Sequence, residues 1–146
     1  MEFERVLKKN SVVYSHELHT RFSDFDIYGH VTASKYLEFV SSSRWLFLEK
    51  AFQMSPASFV DKNLGFYLSS SQVHFLKPID KPQTISVESF AVKRSFTSIE
   101  TNFEIRSKHK ETLFSNGSFQ LVCMNLNKQK PQKIPEWAFK YFFTPA

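Results

Sequence analysis

The chain has 146 residues, 42% hydrophobic and 16% aromatic, with 17 Phe, one cysteine and a formal charge of +5. That length suits a single domain, 1–146, able to bury roughly 70% of its unfolded surface without staples. Cys123 alone excludes an internal disulfide and a cysteine-based zinc site, and the scattered His and Lys carry no metal-ligand spacing and no nucleic-acid motif.

The N-terminus, residues 1–10, is charged, has no apolar core of the signal type and reads as a short lead-in. No run of roughly 18 apolar residues follows, so the expectation is a soluble, cytoplasmic chain with no membrane span. From Val12 to Phe22 the residues alternate: Val12, Tyr14, His16, Leu18, Thr20 and Phe22 share one face, the period-2 signature of a half-buried strand. A polar loop over 23–31 leads to a helix from about Thr32 to Phe52, with Thr32 or Ser34 as cap. Leu37, Val40, Phe47, Leu48 and Ala51 fall at helical spacing, with Arg44 on the same stripe. Phe39, Trp45 and Leu46 lie on other faces, so the helix is expected to be buried on most sides.

Ser55-Pro56 opens a short helix. Leu64 to Leu76 is extended but interrupted by Ser69, Ser70 and Ser71. Strands follow over 84–94, from Ile99 to Lys108 and from Thr112 to Met124, with a hairpin connection from Lys93 to Ser98. The tail ends in a short helix through Trp137, Phe139 and Phe142. A strand, a long helix and four strands with short late connections imply α+β architecture on an antiparallel sheet.

The loop before the long helix gathers Asp24, Asp26, Tyr28, Gly29 and His30. A carboxylate ahead of a helix N-terminus can activate water or attack a carbonyl itself, while unpaired N–H groups stabilise the oxyanion. The plain alternative is that Asp26 caps a turn. If the backbone is extended there, Asp24 and Asp26 point to one side and repulsion raises one pKa; otherwise Asp24 pairs with Arg21 or Arg44. His30 either orients a substrate carbonyl or holds the loop, Tyr28 either lines a pocket or packs, and Gly29 supplies a tight turn. The chain lacks Gly-x-Ser-x-Gly and any Gly-rich phosphate loop, and Cys123 in an apolar strand reads as packing.

Asp24, Asp26, Gly29, His30, Val31, Tyr36 and Arg44 together resemble the DxDxxGHV…Y…R pattern of hotdog-fold acyl-CoA thioesterases, the 4-hydroxybenzoyl-CoA thioesterase-like family. The resemblance implies a curved sheet wrapped around one long helix, in the order β-α-β-β-β-β. It puts the catalytic aspartate on Asp26, the carbonyl-polarising backbone N–H at Ala33, His30 in support, and Tyr28, Gly29 and Tyr36 on the substrate side. It needs no cofactor or metal. Lys93, Arg94 and Ser95 match the place where relatives bind the nucleotide; a solvated turn is the alternative. The substrate so implied is acyl-CoA, with an acyl-carrier protein as the rival donor and a non-catalytic acyl-CoA-binding module as the rival from another class. Thr32-Ala33 replace the Asn-Asn of many relatives, which speaks against the carrier-protein form. Ser41 and Ser42 stand where relatives carry acids in mid-helix, and a Gly-Asp pair is missing near Lys81 to Gln83. The family joins two sheets side by side into a dimer with each active site at the seam, so a homodimer or a tetramer of dimers is expected, with an acyl pocket built from both chains and Asp26 facing the partner. The 17 Phe agree, being more than one small core readily holds.

Overall fold

In the computed structural model residues 10–144 are described. The lead-in expected over 1–10 therefore lies, for residues 1–9, outside them. Strand β1, Val13–His19, keeps the alternation up to Thr20, which is buried. There the strand gives way to a 3₁₀ turn, Phe22–Asp24. The turn throws Phe22 outward to 89% exposure, so Phe22 does not belong to the inner face as its spacing suggested.

Helix α1 runs Lys35–Phe52, preceded by a turn in which Lys35 N–H bonds Thr32 O at 2.9 Å. Ser34 stands at the cap position, but neither it nor Thr32 caps with its side chain. The helix ends where Gln53 turns left-handed, its N–H on Glu49 O. Ser55 and Ser58 form a reciprocal cap on α2, Pro56–Asp61, with Pro56 in the first turn.

Strands β2 Leu64–Phe75, β3 Thr84–Arg94, β4 Ser98–Ser107 and β5 Leu113–Asn125 complete the main sheet, and a two-residue β6, Lys130–Pro131, pairs with β5. The order is β1-β3-β4-β5-β2, antiparallel throughout. Register shifts on β2 at Leu68/Ser70 and on β3 at Ala91/Lys93 mark bulges, which bend strands and increase twist. The tail makes a 3₁₀ helix, Glu136–Tyr141.

One face of the sheet carries Tyr14, Ser89, Phe103 and Gly117 in one cross-strand row and Ala91, Thr101 and Phe119 in the next. A Cβ on Gly117 would sit 2.0 Å from the Gln72 carbonyl and 2.8 Å from the Phe103 ring. Glycine is therefore what leaves room for the Phe103 ring, which is 1% exposed.

Against this face α1 buries Tyr36, Phe39, Val40, Ser43 and Leu48, and Phe47 stacks on Tyr14 at 4.8 Å. The helix is not buried on most sides. Trp45 and Leu46 are 42% and 39% exposed, and Ala51 is exposed with Ser41 and Ser42. The sheet covers one side of the helix only, and two serines add polar groups to the other. The Ser69–Ser71 interruption has a similar cause: β2 is the last strand, exposed along most of its length.

Candidate active site

Residues 21–34 leave β1, turn back and start α1. Their backbone is held from three sides. Thr20 N–H bonds Gln83 O, Thr32 N–H bonds Asp24 O, and Val31 N–H bonds Ile79 O, at 2.9, 2.8 and 3.0 Å.

The two carboxylates within this loop have different surroundings. Asp24 is 1% exposed; its oxygens accept from Arg21 N–H at 2.7 Å and from the Arg21 guanidinium at 3.3 Å, with Lys35 Nζ 3.9 Å away. It is a buried ion-pair anchor, satisfied by Arg21 and not by Arg44. Asp26 is exposed. Its Oδ1 accepts from Tyr28 N–H at 2.9 Å and His30 N–H at 3.2 Å, while its own N–H bonds His30 O at 2.8 Å. Gly29 closes the turn with φ +76°, a conformation that glycine adopts without penalty. Asp26 thus does cap its turn. One oxygen does so, and Oδ2 has no hydrogen-bond or ion-pair partner among the described residues.

At the start of α1 the N–H groups of Ala33 and Ser34 have no acceptor among the described residues, and both residues are exposed. Such groups are the ordinary donors of a helix start, and they favour an oxygen that gains negative charge. Tyr36, one turn on, is buried edge-on against Phe75 at 5.0 Å. Burial raises its phenol above the usual range, a backbone bond to Ile79 lowers it, and the nearby charge of Asp26 raises it further. The charge of Asp26 thus reaches Tyr36, which lies one turn along α1 from Ala33.

His30 joins the Asp26 turn through its backbone; its imidazole is exposed and makes no hydrogen bond or ion pair among the described residues. Tyr28 is 78% exposed and does not line the cavity formed by the described residues. Within one chain, Lys93, Arg94 and Ser95 lie at the opposite end of β3 from the Asp26 loop. Thr84, at the other end of β3, pairs with His19 just before the loop, and the length of β3 is about 30 Å at ~3.3 Å per residue. Arg94 lies 4.1 Å over the Phe139 ring, and Ser95 Oγ meets Ser98 Oγ at 2.7 Å. The exposed cations on the segment that holds the loop are Lys77 and Lys81, either side of Ile79, and neither forms an ion pair among the described residues. Composition gave no reason to favour them. A repeated Lys-Pro, at 77–78 and 81–82, was the only signal.

Between α1 and the sheet lies a cavity of about 590 Å³. Its wall begins at Leu37, one turn inside the helix start, and continues past Val40 and Arg44 to Leu48, with Leu64–Leu68 of β2 opposite. Asp26 is outside it. Cys123 is fully buried, and burial pushes its thiol up, as expected of a packing residue. Among the described residues no group of His, Cys, Asp and Glu could hold a metal, and no helix is long and apolar enough to cross a membrane.

A thioesterase-like superfamily model matches residues 20–142. The chain belongs to the thioesterase-like superfamily. It is by that membership a thioester hydrolase. Solved structures agree on the fold. A DHNA-CoA thioesterase from Staphylococcus aureus superposes with TM-score 0.76 at 20% identity, over 88% of this chain and 85% of that one. A 1,4-dihydroxy-2-naphthoyl-CoA thioesterase from Synechocystis gives 0.78 at 15%, over 89% and 95%. A second Staphylococcus aureus protein, solved in complex with CoA, gives 0.78 at 11%, over 90% and 82%. No curated protein sequence matches the chain. The curled antiparallel sheet packed on one long helix is the α+β hotdog fold.

Proposed function

We propose that this superfamily member hydrolyses acyl-CoA to a free acid and coenzyme A, at the corner formed by Asp26 and the start of α1. The observation that carries the reading is the pairing of one anchored carboxylate with two idle donors. Asp26 is fixed through Oδ1 and open at Oδ2, while the Ala33 and Ser34 N–H groups lack acceptors among the described residues. A thioester carbonyl on those donors would have its oxyanion stabilised as the bond is attacked. Asp26 then takes a proton from the attacking water, or attacks directly to form a mixed anhydride that water opens. The thiolate leaves as coenzyme A. The buried phenol of Tyr36 stays neutral beside Asp26 and limits the water around it. His30 and Gly29 support the corner by holding the Asp26 turn.

Acyl chains enter the cavity along α1, whose wall starts one turn from the donors. The nucleotide phosphates fall to Lys77 and Lys81. The CoA-bound neighbour from Staphylococcus aureus supports coenzyme A as the carrier.

The catalytic assignment is tested by thiol release from a panel of short, long and aryl acyl-CoAs. Asn keeps Oδ1 as an acceptor for both turn N–H groups, so Asp26→Asn is expected to fold normally and to lose at least ~100-fold in turnover, the scale of one positioned acid or base. Asp24→Asn is expected to act through stability. A folded Asp26→Asn protein with near-normal turnover removes the assignment.

We also infer a homodimer through β2. Its outer edge has no partner strand among the described residues, and Tyr67, Leu68 and Phe75 on it are exposed, as is Leu76 just beyond it. Phe22, Ile27 and Tyr28 of the loop are exposed as well, with Ile27 at 92%. A bare edge of twelve residues with such side chains favours pairing with a second copy.

A further inference from the structure

Arg44 sits on the wall of the acyl cavity, in mid-helix. Its guanidinium carbon is 5.0 Å from the centroids of both the Tyr14 and the Phe119 rings, which reach it from β1 and β5. Such stacking suits a guanidinium well but supplies no counter-charge. Among the described residues Arg44 makes no hydrogen bond and no ion pair. Its neighbours one turn away on α1 are Val40, Ser41, Phe47 and Leu48, none of them acidic. The Tyr14 hydroxyl is spent on the Tyr141 carbonyl. Burial accordingly lowers the pKa of Arg44 from the usual arginine range.

Arg44 is half-buried, and even there an unpaired cation is costly among apolar side chains. The cavity is otherwise the kind that takes a hydrocarbon chain, with Val40, Leu48, Phe59 and Leu121 around it. A tunnel built only for alkyl groups gains nothing from a guanidinium in its wall. The arrangement makes sense if the ligand brings the missing anion.

We propose that this cavity selects acyl groups carrying a second, distal carboxylate, and that Arg44 is the residue that reads it. The inference rests on the acyl-CoA reading above and adds the substrate class. From Ala33 to Arg44 the helix rises about 16 Å at ~1.5 Å per residue, and helical side chains lean back toward the N-terminus, which shortens the span between a carbonyl on the donors and the guanidinium. A dicarboxylic acid of medium length, joined to coenzyme A at one end, fits that span. The free carboxylate forms a charge-assisted, two-pronged pair with Arg44.

Two measurements test this. In the first, the wild-type protein is offered the mono-CoA thioester of sebacic acid and the matching neutral decanoyl-CoA. The expected kcat/KM ratio is roughly tenfold or more in favour of the carboxylated chain. Arg44→Met, close in volume and uncharged, is expected to invert that preference mainly through KM, while Arg44→Lys keeps part of it. Equal rates on the two substrates, or an Arg44→Met protein that loses activity on both alike, overturns the proposal.

The second measurement needs no catalysis, so failure of the hydrolase reading cannot be mistaken for failure of this one. Calorimetric binding of decanoate and of decanol to the wild-type protein is expected to differ at least roughly tenfold in favour of the anion, and Arg44→Met is expected to erase the difference. Equal binding of the two, or a difference that survives Arg44→Met, refutes the assigned role. If Arg44→Met does not fold, the wild-type comparisons decide alone.

Discussion

The carboxylates Asp24 and Asp26 lie two positions apart and have separate duties. Asp24 is buried because two cations and a backbone N–H satisfy it; Asp26 is exposed because only one of its oxygens is needed by its turn. Residue identity announced both acids, but the division depended on a 3₁₀ turn that rotates Asp24 inward, where an extended segment would have aligned the two. Tyr14 is the other residue whose environment can be tested directly. It is 3% exposed, stacked on Phe47, and burial pushes its phenol up to about 12, with Arg44 opposing. The folded state resists ionisation that the unfolded chain undergoes near pH 10. The stabilisation is thus fully present below pH 10 and is lost as pH rises toward 12, a change of about 2–3 kcal/mol. Urea midpoints measured from pH 9 to 12 should fall steeply for the wild type and less steeply for Tyr14→Phe. Equal slopes would mean that Tyr14 is not the buried phenol responsible.

At the level of elements, most of the fold was legible. Strand β4 could be read because Ile99, Thr101, Phe103 and Ile105 alternate without a break and are all buried. Strand β3 spans the expected 84–94, and Ser55-Pro56 opened α2 as its capping chemistry dictates. What could not be read was partnership. Nothing local tells β2 that it is the last strand, and nothing in the Trp45 and Leu46 side chains tells α1 that one side remains open. The two-residue β6 is too short for any period to reveal. The placement of Lys93 and Arg94 likewise depends on how strands pair. A basic pair at a hairpin is visible in sequence, but its position at the far end of β3 follows only from the register of β1 on β3. The Lys77–Lys81 segment, tied to Val31 through Ile79, is the nearer cationic element. Lys77→Ala/Lys81→Ala is expected to raise KM for acyl-CoA several-fold with kcat little changed, and to leave a pantetheine thioester without nucleotide unaffected. Lys93→Ala/Arg94→Ala is expected to change neither parameter. The reverse pattern would return the phosphates to the hairpin.

For the whole molecule the open question is what covers β2. Light scattering at low micromolar concentration is expected to give twice the mass of one chain, and Leu68→Lys, which puts a charge on the bare edge, is expected to shift it toward one. A wild-type protein that stays monomeric there and is fully active would end the dimer proposal and leave the exposed aromatic loop unexplained. Strand β2 has a second duty, because Leu64 to Leu68 also form the cavity wall. In the proposed dimer one strand would stand between ligand and neighbouring subunit, and any coupling between the two binding events would be thermodynamically reciprocal. Whatever factor an occupant of the cavity adds to subunit affinity, subunit association must return to the affinity for that occupant. If an occupant favours the proposed assembly, dilution would then weaken substrate affinity with no change in the chemistry at Asp26, and a saturating ligand would hold the assembly together at concentrations where the empty protein falls apart.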